Sequence, residues 1–228
     1  MDLPEALART GLLIFDFDGV LADSEPLHRR AYNSVLARWG YEIPQAEYWL
    51  YWTSRGEGIA GEIARGNLRG VDPDRVVREK RSIFEEYCRS GAVPLFPEAA
   101  ALLSYLQCSA RWRVVIASNT PAGLVRAVLE SAGAPVPPII GGDGLRQKPA
   151  PDIFLKALEH MDCDPLAAMV FEDAEKGLIA AAGAGVGATL VLGELNRDLG
   201  LRADYVVEGP AGILESLRRA ETLAGGSR

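Results

Sequence analysis

Two carboxylates, Asp16 and Asp18, close the apolar run Leu12-Leu13-Ile14-Phe15 and are followed at once by Gly19. A lone Asp-x-Asp-Gly is most often a solvated turn. An apolar run that ends abruptly in two acids reads instead as a buried parallel strand delivering them to its C-terminal end, where open α/β sheets hold their ligands. Further polar groups stand in comparable places: Ser118-Asn119-Thr120 directly after Val114-Val115-Ile116-Ala117, Lys148-Pro149 ahead of a helical pattern, and Glu172-Asp173 directly after Val170-Phe171. Taken singly, Ser118-Asn119 is an ordinary helix N-cap before Pro121, and Lys148-Pro149 an ordinary surface loop. Taken together, they are what separate loops of one sheet bring to one ligand. Clustered carboxylates repel unless a cation neutralises them, and a divalent ion plus one lysine offsets most of that charge. The positive field that remains suits a phosphoryl group.

The surrounding sequence supplies the elements that such a site needs. Strand patterns at Arg113 to Ala117, Pro138 to Ile140, Ala168 to Phe171, Ala188 to Leu192 and Tyr205 to Val207 alternate with helical ones. The helical stretches run from Pro97 to Gln107, Pro121 to Ala132, Asp152 to His160, Glu175 to Ala182 and Gly212 to Leu223. Between the first strand and Pro94 no strand pattern intervenes. Helical signals there cover Ser24 to Trp39 before a stop at Gly40, the aromatic-rich Gln45 to Trp52, Glu57 to Arg65, and a longer stretch from Asp72-Pro73 to Gly91. The expected fold is α/β, a parallel sheet interrupted by an all-helical insert. Asp23 is placed as the N-cap carboxylate of the helix that begins near Ser24. The Ala/Gly-rich Ile179 to Gly187 is too short and too glycine-broken for a membrane span, and Ala224-Gly225-Gly226-Ser227-Arg228 reads as a frayed tail.

With 228 residues, 48% of them hydrophobic and 24% charged, the chain can bury the core of one large domain or of a domain plus an insert. A formal charge of -7 offers no electrostatic footprint for nucleic acid or an anionic membrane. No nucleic-acid or membrane partner is expected, and a small anionic substrate needs dedicated positive groups. Only two histidines exist, His28 and His160, which leaves carboxylates as the ligands of any metal and favours a hard cation such as magnesium. Cys88, Cys108 and Cys163 are odd in number, far apart and without CxxC spacing, and read as reduced, buried thiols. Met1-Asp2-Leu3-Pro4-Glu5 has neither the basic nor the apolar region of a secretory signal. The expectation is a cytoplasmic enzyme, monomeric by default.

The segments DFDGVLADSEPLH, ASNT, KPAPDIF and FEDAEKG stand in the order and positions of the four motifs of the haloacid dehalogenase-like superfamily. The chain resembles the β-phosphoglucomutase-like and phosphoglycolate-phosphatase-like branch of that superfamily. The resemblance implies a doubly wound core, residues 1–24 and 92–228, with the motif I strand between those of motifs II and IV. It implies a helical cap inserted at residues 25–91. Asp16 would then be the nucleophile that takes the phosphoryl group as an aspartyl-phosphate, and Asp18 the acid to the leaving alkoxide and then the base to water. Magnesium would be held by Asp16, the Asp18 main-chain carbonyl and Asp173, with Glu172 a direct or water-mediated ligand. Ser118, with Asn119 beside it, would bind the phosphoryl oxygens, and Lys148 would neutralise charge on the nucleophile and the transferring group. Ala174 departs from the serine that often follows the Glu-Asp pair, which removes an outer hydrogen bond and no expected ligand.

In that branch a histidine at the place of His28 aligns the acid/base aspartate, an arginine near Arg55 faces a second phosphate, and a lysine near Lys80 points to the site. Each is otherwise an ordinary structural or solvated helix residue. The run Tyr48-Trp49-Leu50-Tyr51-Trp52 reads as cap core rather than as a sugar-stacking platform. The resemblance implies Mg2+-dependent hydrolysis of a small phosphorylated metabolite, a sugar phosphate, with cap closure excluding water. The alternative is a β-phosphoglucomutase-like isomerase using the same aspartyl-phosphate, favoured by His28, Arg55 and Lys80 and disfavoured by the looser Ser118-Asn119-Thr120-Pro121. Dehalogenases and phosphonoacetaldehyde hydrolases lack the second aspartate. A non-catalytic phospho-accepting module does not need the full motif set.

Overall fold

In the computed structural model of the protein, which describes residues 1–193, 196–197 and 200–225, the chain opens with a short helix, α1 (Leu3–Leu7). No apolar periodicity announces it; its cause is a capping box. Glu5 N donates to Asp2 Oδ1 at 2.9 Å and Asp2 N donates back to Glu5 Oε2 at 3.0 Å. Next comes β1 (Leu12–Phe15), buried along its whole length. The helices α2 (Glu25–Leu36), α3 (Gln45–Glu47), α4 (Gly58–Ala64) and α5 (Pro73–Arg89) follow before any second strand. The rest alternates: α6 (Ala99–Cys108), β2 (Arg113–Ser118), α7 (Ala122–Ser131), β3 (Ile139–Gly141), α8 (Asp152–His160), β4 (Ala168–Glu172), α9 (Glu175–Gly183), β5 (Gly187–Leu192), β6 (Tyr205–Glu208) and α10 (Gly209–Gly225).

The strands form one parallel sheet in the order β3-β2-β1-β4-β5-β6. β1 pairs with β2 on one side and β4 on the other, with Phe15 opposite both Ile116 and Phe171. Strand order reverses direction at β1, so the C-terminal ends of β1, β2 and β4 border the crevice where such sheets bind ligands. The two-residue period of β1 explains the two covering layers. Leu13 and Phe15 join one apolar cluster with Leu7, Leu102, Val125 and Leu217, from α1, α6, α7 and α10. Leu12 and Ile14 join the other with Phe154 and Leu178, from α8 and α9. Burying each such side chain contributes about 1.5–3 kcal/mol, and the Phe15 and Phe171 rings stack at 4.7 Å. The fold is thus a doubly wound α/β sheet.

The helices between β1 and β2 bury a cluster of their own, with Val35, Leu36, Ile43, Trp49, Trp52 and Ile59 among its members. After α2 and one tight turn at Ala37–Trp39, Gly40 takes a φ of 66°, a left-handed stop that glycine adopts without strain. α3 runs into a wider helical turn, Tyr48–Ser54, closed by Arg55 N donating to Leu50 O at 3.2 Å. Asp72 caps α5, accepting from Asp74 N at 3.0 Å and Arg75 N at 3.3 Å. Glu62, fully buried, ties this insert together. Its Oε1 accepts from Trp52 Nε1 and an Arg65 nitrogen, both at 2.7 Å, and its Oε2 accepts from Tyr41 Oη and Asn67 Nδ2, both at 2.8 Å. A carboxylate tolerates such burial only when saturated in this way.

Some expectations need correction. The N-cap position of α2 is Ser24 rather than Asp23, and its side chain makes no capping bond because its hydroxyl donates to Asp18 instead. The three cysteines are free, but only Cys88 is buried; Cys163 is half-buried, and Cys108 is exposed at the end of α6. Ala224 and Gly225 continue α10, and the rest of the expected tail, residues 226–228, lies outside the described residues. Among the described residues no helix is long and apolar enough to cross a membrane.

Candidate active site

Beyond the ends of β1, β2 and β4 lies a cavity of about 270 Å³. Asp16, Asp18, Ser118, Asn119, Lys148 and Asp173 line it from the sheet, and Glu25, His28 and Lys80 from the insert. Asp16 extends the pairing of β1, its N donating to Phe171 O at 3.0 Å, which fixes where the carboxylate emerges. Lys148 is buried; its Nζ donates to Glu172 Oε1 at 2.5 Å and Ala117 O at 3.0 Å and stands 2.9 Å from Asp16 Oδ1. Apart from that ion pair, Asp16 Oδ1 is buried without a hydrogen-bond donor among the described residues. Asn119 acts on the same loop, its Oδ1 accepting from Lys148 N at 3.1 Å.

Burial opposes the charge of Lys148, but Asp16 and Glu172 outweigh it and hold the ammonium above the usual lysine range. Burial, then the Glu172 charge, push Asp16 up to about 7, only partly countered by Lys148. Burial and the same two neighbours, Glu172 and Asp16, raise Asp173 well above an ordinary carboxylate. Ligand oxygens of Asp16, Glu172 and Asp173 lie within 4.8 Å of one another, all from buried residues. At Gly19, with φ of 78°, a Cβ would stand 1.9 Å from Asp173 Oδ2, so only glycine leaves that carboxylate its place. Buried, mutually repelling, all-oxygen and with one oxygen orphaned, the set fits a hard divalent cation such as magnesium.

Asp18 is held differently. Its Oδ1 accepts from Ser24 Oγ at 2.6 Å and lies 3.3 Å from His28 Nε2. Its Oδ2 accepts from Thr120 Oγ1 at 2.7 Å and Ser118 Oγ at 3.1 Å. Burial works against its charge, yet His28 and the Ser24 and Thr120 hydroxyls outweigh that and keep Asp18 below the usual carboxylate range. His28 stacks on Phe84 with ring centroids 3.6 Å apart, and its Nδ1 lies 2.5 Å from Lys80 Nζ. Burial, then the Lys80 charge, lower the His28 pKa. A neutral imidazole satisfies every contact, accepting from Lys80 at Nδ1 and donating to Asp18 from Nε2. Burial lowers Lys80 itself to about 8, against the pull of Glu25 and Asp18.

The structure therefore gathers Asp16, Asp18, Ser118, Asn119, Lys148, Asp173, His28 and Lys80 at the cavity, with Glu172 buried behind Lys148. Arg55 is not brought there: it is exposed, 3.9 Å from Glu57, with its guanidinium 5.5 Å from the Tyr51 ring. Tyr48 and Trp52 belong to the insert's own core and also line the cavity. Sequence reasoning gave no site role to Ser24, Glu25 or Tyr32, and placed Thr120 only as part of the Ser118-Asn119-Thr120 segment. Ser24 and Glu25 lie in the first motif and Thr120 beside Ser118, but only the fold shows where their polar atoms aim.

Acids at the switch point of a doubly wound sheet, faced by a helical insert, define the class of haloacid dehalogenase-like hydrolases. A sequence profile of that family matches residues 10–185, and the chain belongs to it as an enzyme of the hydrolase class. Protein CbbY of Rhodobacter capsulatus is 34% identical over 203 residues, covering 81% of this chain and 86% of that protein. Fructose-1-phosphate phosphatase YqaB of Escherichia coli strain K12 is 30% identical over 179 residues, covering 77% and 93%. The crystal structure of CbbY from Rhodobacter sphaeroides in complex with phosphate is similar with a TM-score of 0.74 at 30% identity, covering 92% of this chain and 99% of that one.

Proposed function

We propose that the protein is a Mg2+-dependent phosphoric monoester hydrolase acting on a small phosphorylated metabolite, a sugar phosphate, through an aspartyl-phosphate on Asp16. One observation carries this reading. Asp16 and Asp18 share a cavity wall in opposite settings, the first among carboxylates with the Lys148 ammonium 2.9 Å away and the second held by Ser24, His28, Ser118 and Thr120. The carboxylates around Asp16 raise its proton affinity and the donors on Asp18 hold it ionised, so each takes up its role when a cation sits beside Asp16 and a phosphoryl group draws donors from Asp18. The Asp16 carboxylate attacks phosphorus and the bond to the leaving alkoxide breaks. When the phosphoryl group draws the Ser118 and Thr120 hydroxyls to itself, Asp18 loses donors that keep it ionised and can carry the proton the alkoxide needs. Asp18 then takes a proton from water, whose attack on phosphorus frees inorganic phosphate and restores Asp16. Lys148 offsets charge on the nucleophile and the transferring group. A magnesium ion held by Asp16, Asp173 and the Asp18 carbonyl, with Glu172 direct or through water, would supply further neutralisation.

In this reading residues 1–24 and 92–228 are the catalytic core and residues 25–91 the cap that excludes bulk water. The contact chain from Lys80 through His28 to Asp18 favours a second reading, a β-phosphoglucomutase-like isomerase, while the position of Arg55 away from the cavity speaks against it. The test incubates the protein with Mg2+, β-glucose 1-phosphate and a trace of the bisphosphate. Free phosphate is expected to outpace glucose 6-phosphate; the reverse overturns the phosphatase reading. Turnover of p-nitrophenyl phosphate is expected to vanish with chelator and in Asp16→Asn.

A further inference from the structure

Asn196, in the segment after β5, belongs to none of the four motifs, yet only 6% of it is exposed. Its side-chain amide is spent wholly on main chain. Nδ2 donates to Asp173 O at 2.8 Å and to Val191 O at 2.9 Å, and Oδ1 accepts from Gly193 N at 2.9 Å. These partners fix which end of the amide is nitrogen, since the reverse would set its oxygen against two carbonyls. Two of the three bonds close the exit of β5 and would serve any strand end. The third crosses to the loop that leaves β4, the strand paired with β5, and takes hold of the residue whose carboxylate completes the acidic cluster.

The main chain of Asp173 is thereby fastened on both sides: its N donates to Glu172 Oε2 at 3.1 Å, and its O accepts from Asn196. Its carboxylate meanwhile faces those of Asp16 and Glu172, with ligand oxygens within 4.8 Å of one another. Like charges at this range push a free loop outward. A loop fastened at its carbonyl cannot retreat in that way. The clamp is itself anchored, because Arg197 donates from Nη1 to Glu208 Oε1 at 2.8 Å, at the end of β6. Building on the magnesium-dependent reading, we propose that Asn196 is a positioning residue for Asp173, holding the loop after β4 in its metal-binding arrangement before any cation arrives. The cation then meets a preformed site and bears no cost of reordering the loop.

The test measures the Mg2+ affinity of the full chain by calorimetry without substrate. Leu217→Ala, buried in α10 and absent from the cavity wall, is the control for lost stability alone. Asn196→Ala is expected to weaken Mg2+ binding about tenfold or more, while Leu217→Ala binds as wild type does. Asn196→Ser is expected to fall between, because one hydroxyl can donate to only one of the two carbonyls. Should Asn196→Ala fail to fold, Asn196→Ser is read against the same control. An affinity unchanged in the Asn196 variants, a loss matched by Leu217→Ala, or a wild type that binds no Mg2+ overturns the assignment. If Mg2+ binding depends on Asn196 as expected but wild type hydrolyses neither fructose 1-phosphate nor p-nitrophenyl phosphate, the phosphatase reading falls and this assignment stands.

Discussion

Replacing Asp16, the proposed nucleophile, is expected to stabilise the metal-free protein while abolishing turnover. Asp16 is driven from an ordinary 3.8 to about 7 by burial and by Glu172. An acid whose folded pKa lies above its unfolded one costs stability when ionised. That cost is absent at low pH, where both states are protonated, grows as pH rises from the unfolded value, and is complete above the folded one. At about 1.4 kcal/mol per pKa unit, the interval corresponds to about 4 kcal/mol. Asp16→Asn also gives up the contact with Lys148, but the raised value already contains that attraction. Lys148 moreover keeps Glu172 and the Ala117 carbonyl. A net gain of about 2–4 kcal/mol follows, or roughly 4–16 °C in Tm for a chain of this size.

Thermal unfolding in chelator provides the assay. The variant is expected to melt above wild type at about pH 8, by a margin that shrinks at about pH 5, where native Asp16 is largely protonated. Added Mg2+ is expected to raise wild type more than the variant, because the cation offsets the repulsion that Asn has already removed. A variant less stable than wild type in chelator at about pH 8, or a gain that does not shrink on acidification, would refute the picture of a carboxylate cluster held against its own repulsion.

Lys148→Met leaves Asp16 and Glu172 buried without their shared cation, and is expected to cost about 3–5 kcal/mol in chelator, read from the midpoint of urea unfolding. Gly19→Ala places a Cβ against Asp173 at a left-handed φ of 78°. It is expected to raise the Mg2+ concentration for half-maximal phosphate release about 10–100-fold, measured by metal titration. Lys80, at about 8, is a cation below that pH and neutral above it. KM for an anionic substrate is therefore expected to climb as pH rises through about 8 in wild type, and to be high and flat across that range in Lys80→Met, as a KM profile would record.

Asp16, Asp18, Ser118, Asn119, Glu172 and Asp173 could be grouped from the sequence because each sits at or just past the end of an apolar strand, and strand direction fixes which end of the sheet it reaches, whereas Lys148 lies in the loop before α8. Leu12 to Phe15 and Val170-Phe171 carry that signal without help from the rest of the chain. The hydroxyls on Asp18 were not legible, since Thr120 is 102 residues away from it and Ser24 resembles an ordinary helix cap. Arg55 shows the converse. Its neighbour Gly56 does line the cavity, but the Arg55 side chain leaves along the surface toward Glu57 and Tyr51. Sequence position locates a backbone to within a turn; side-chain direction depends on neighbours that only the packed insert supplies. The capping box of α1 was readable in Asp2 and Glu5, but apolar periodicity has too few residues there to work with.

Asp16 and Asp18 stand two residues apart on one loop, and burial pushes both toward the neutral form. What separates them is the count and kind of donors. Asp16 meets other carboxylates and a lysine it shares with Glu172, whereas Asp18 meets hydroxyls and a neutral imidazole from both the insert and the sheet. In the proposed reaction the two acids would respond oppositely to an arriving phosphate ester with its cation. Added positive charge would lower the proton affinity of Asp16 and free it as the proposed nucleophile. Diverting Ser118 and Thr120 would raise that of Asp18 and ready it as the proposed acid. Ser24 and His28 do not contact the transferring group in this scheme, so the donors on Oδ1 would persist while those on Oδ2 are exchanged. A single carboxylate would thereby be anchored by one oxygen and reactive at the other.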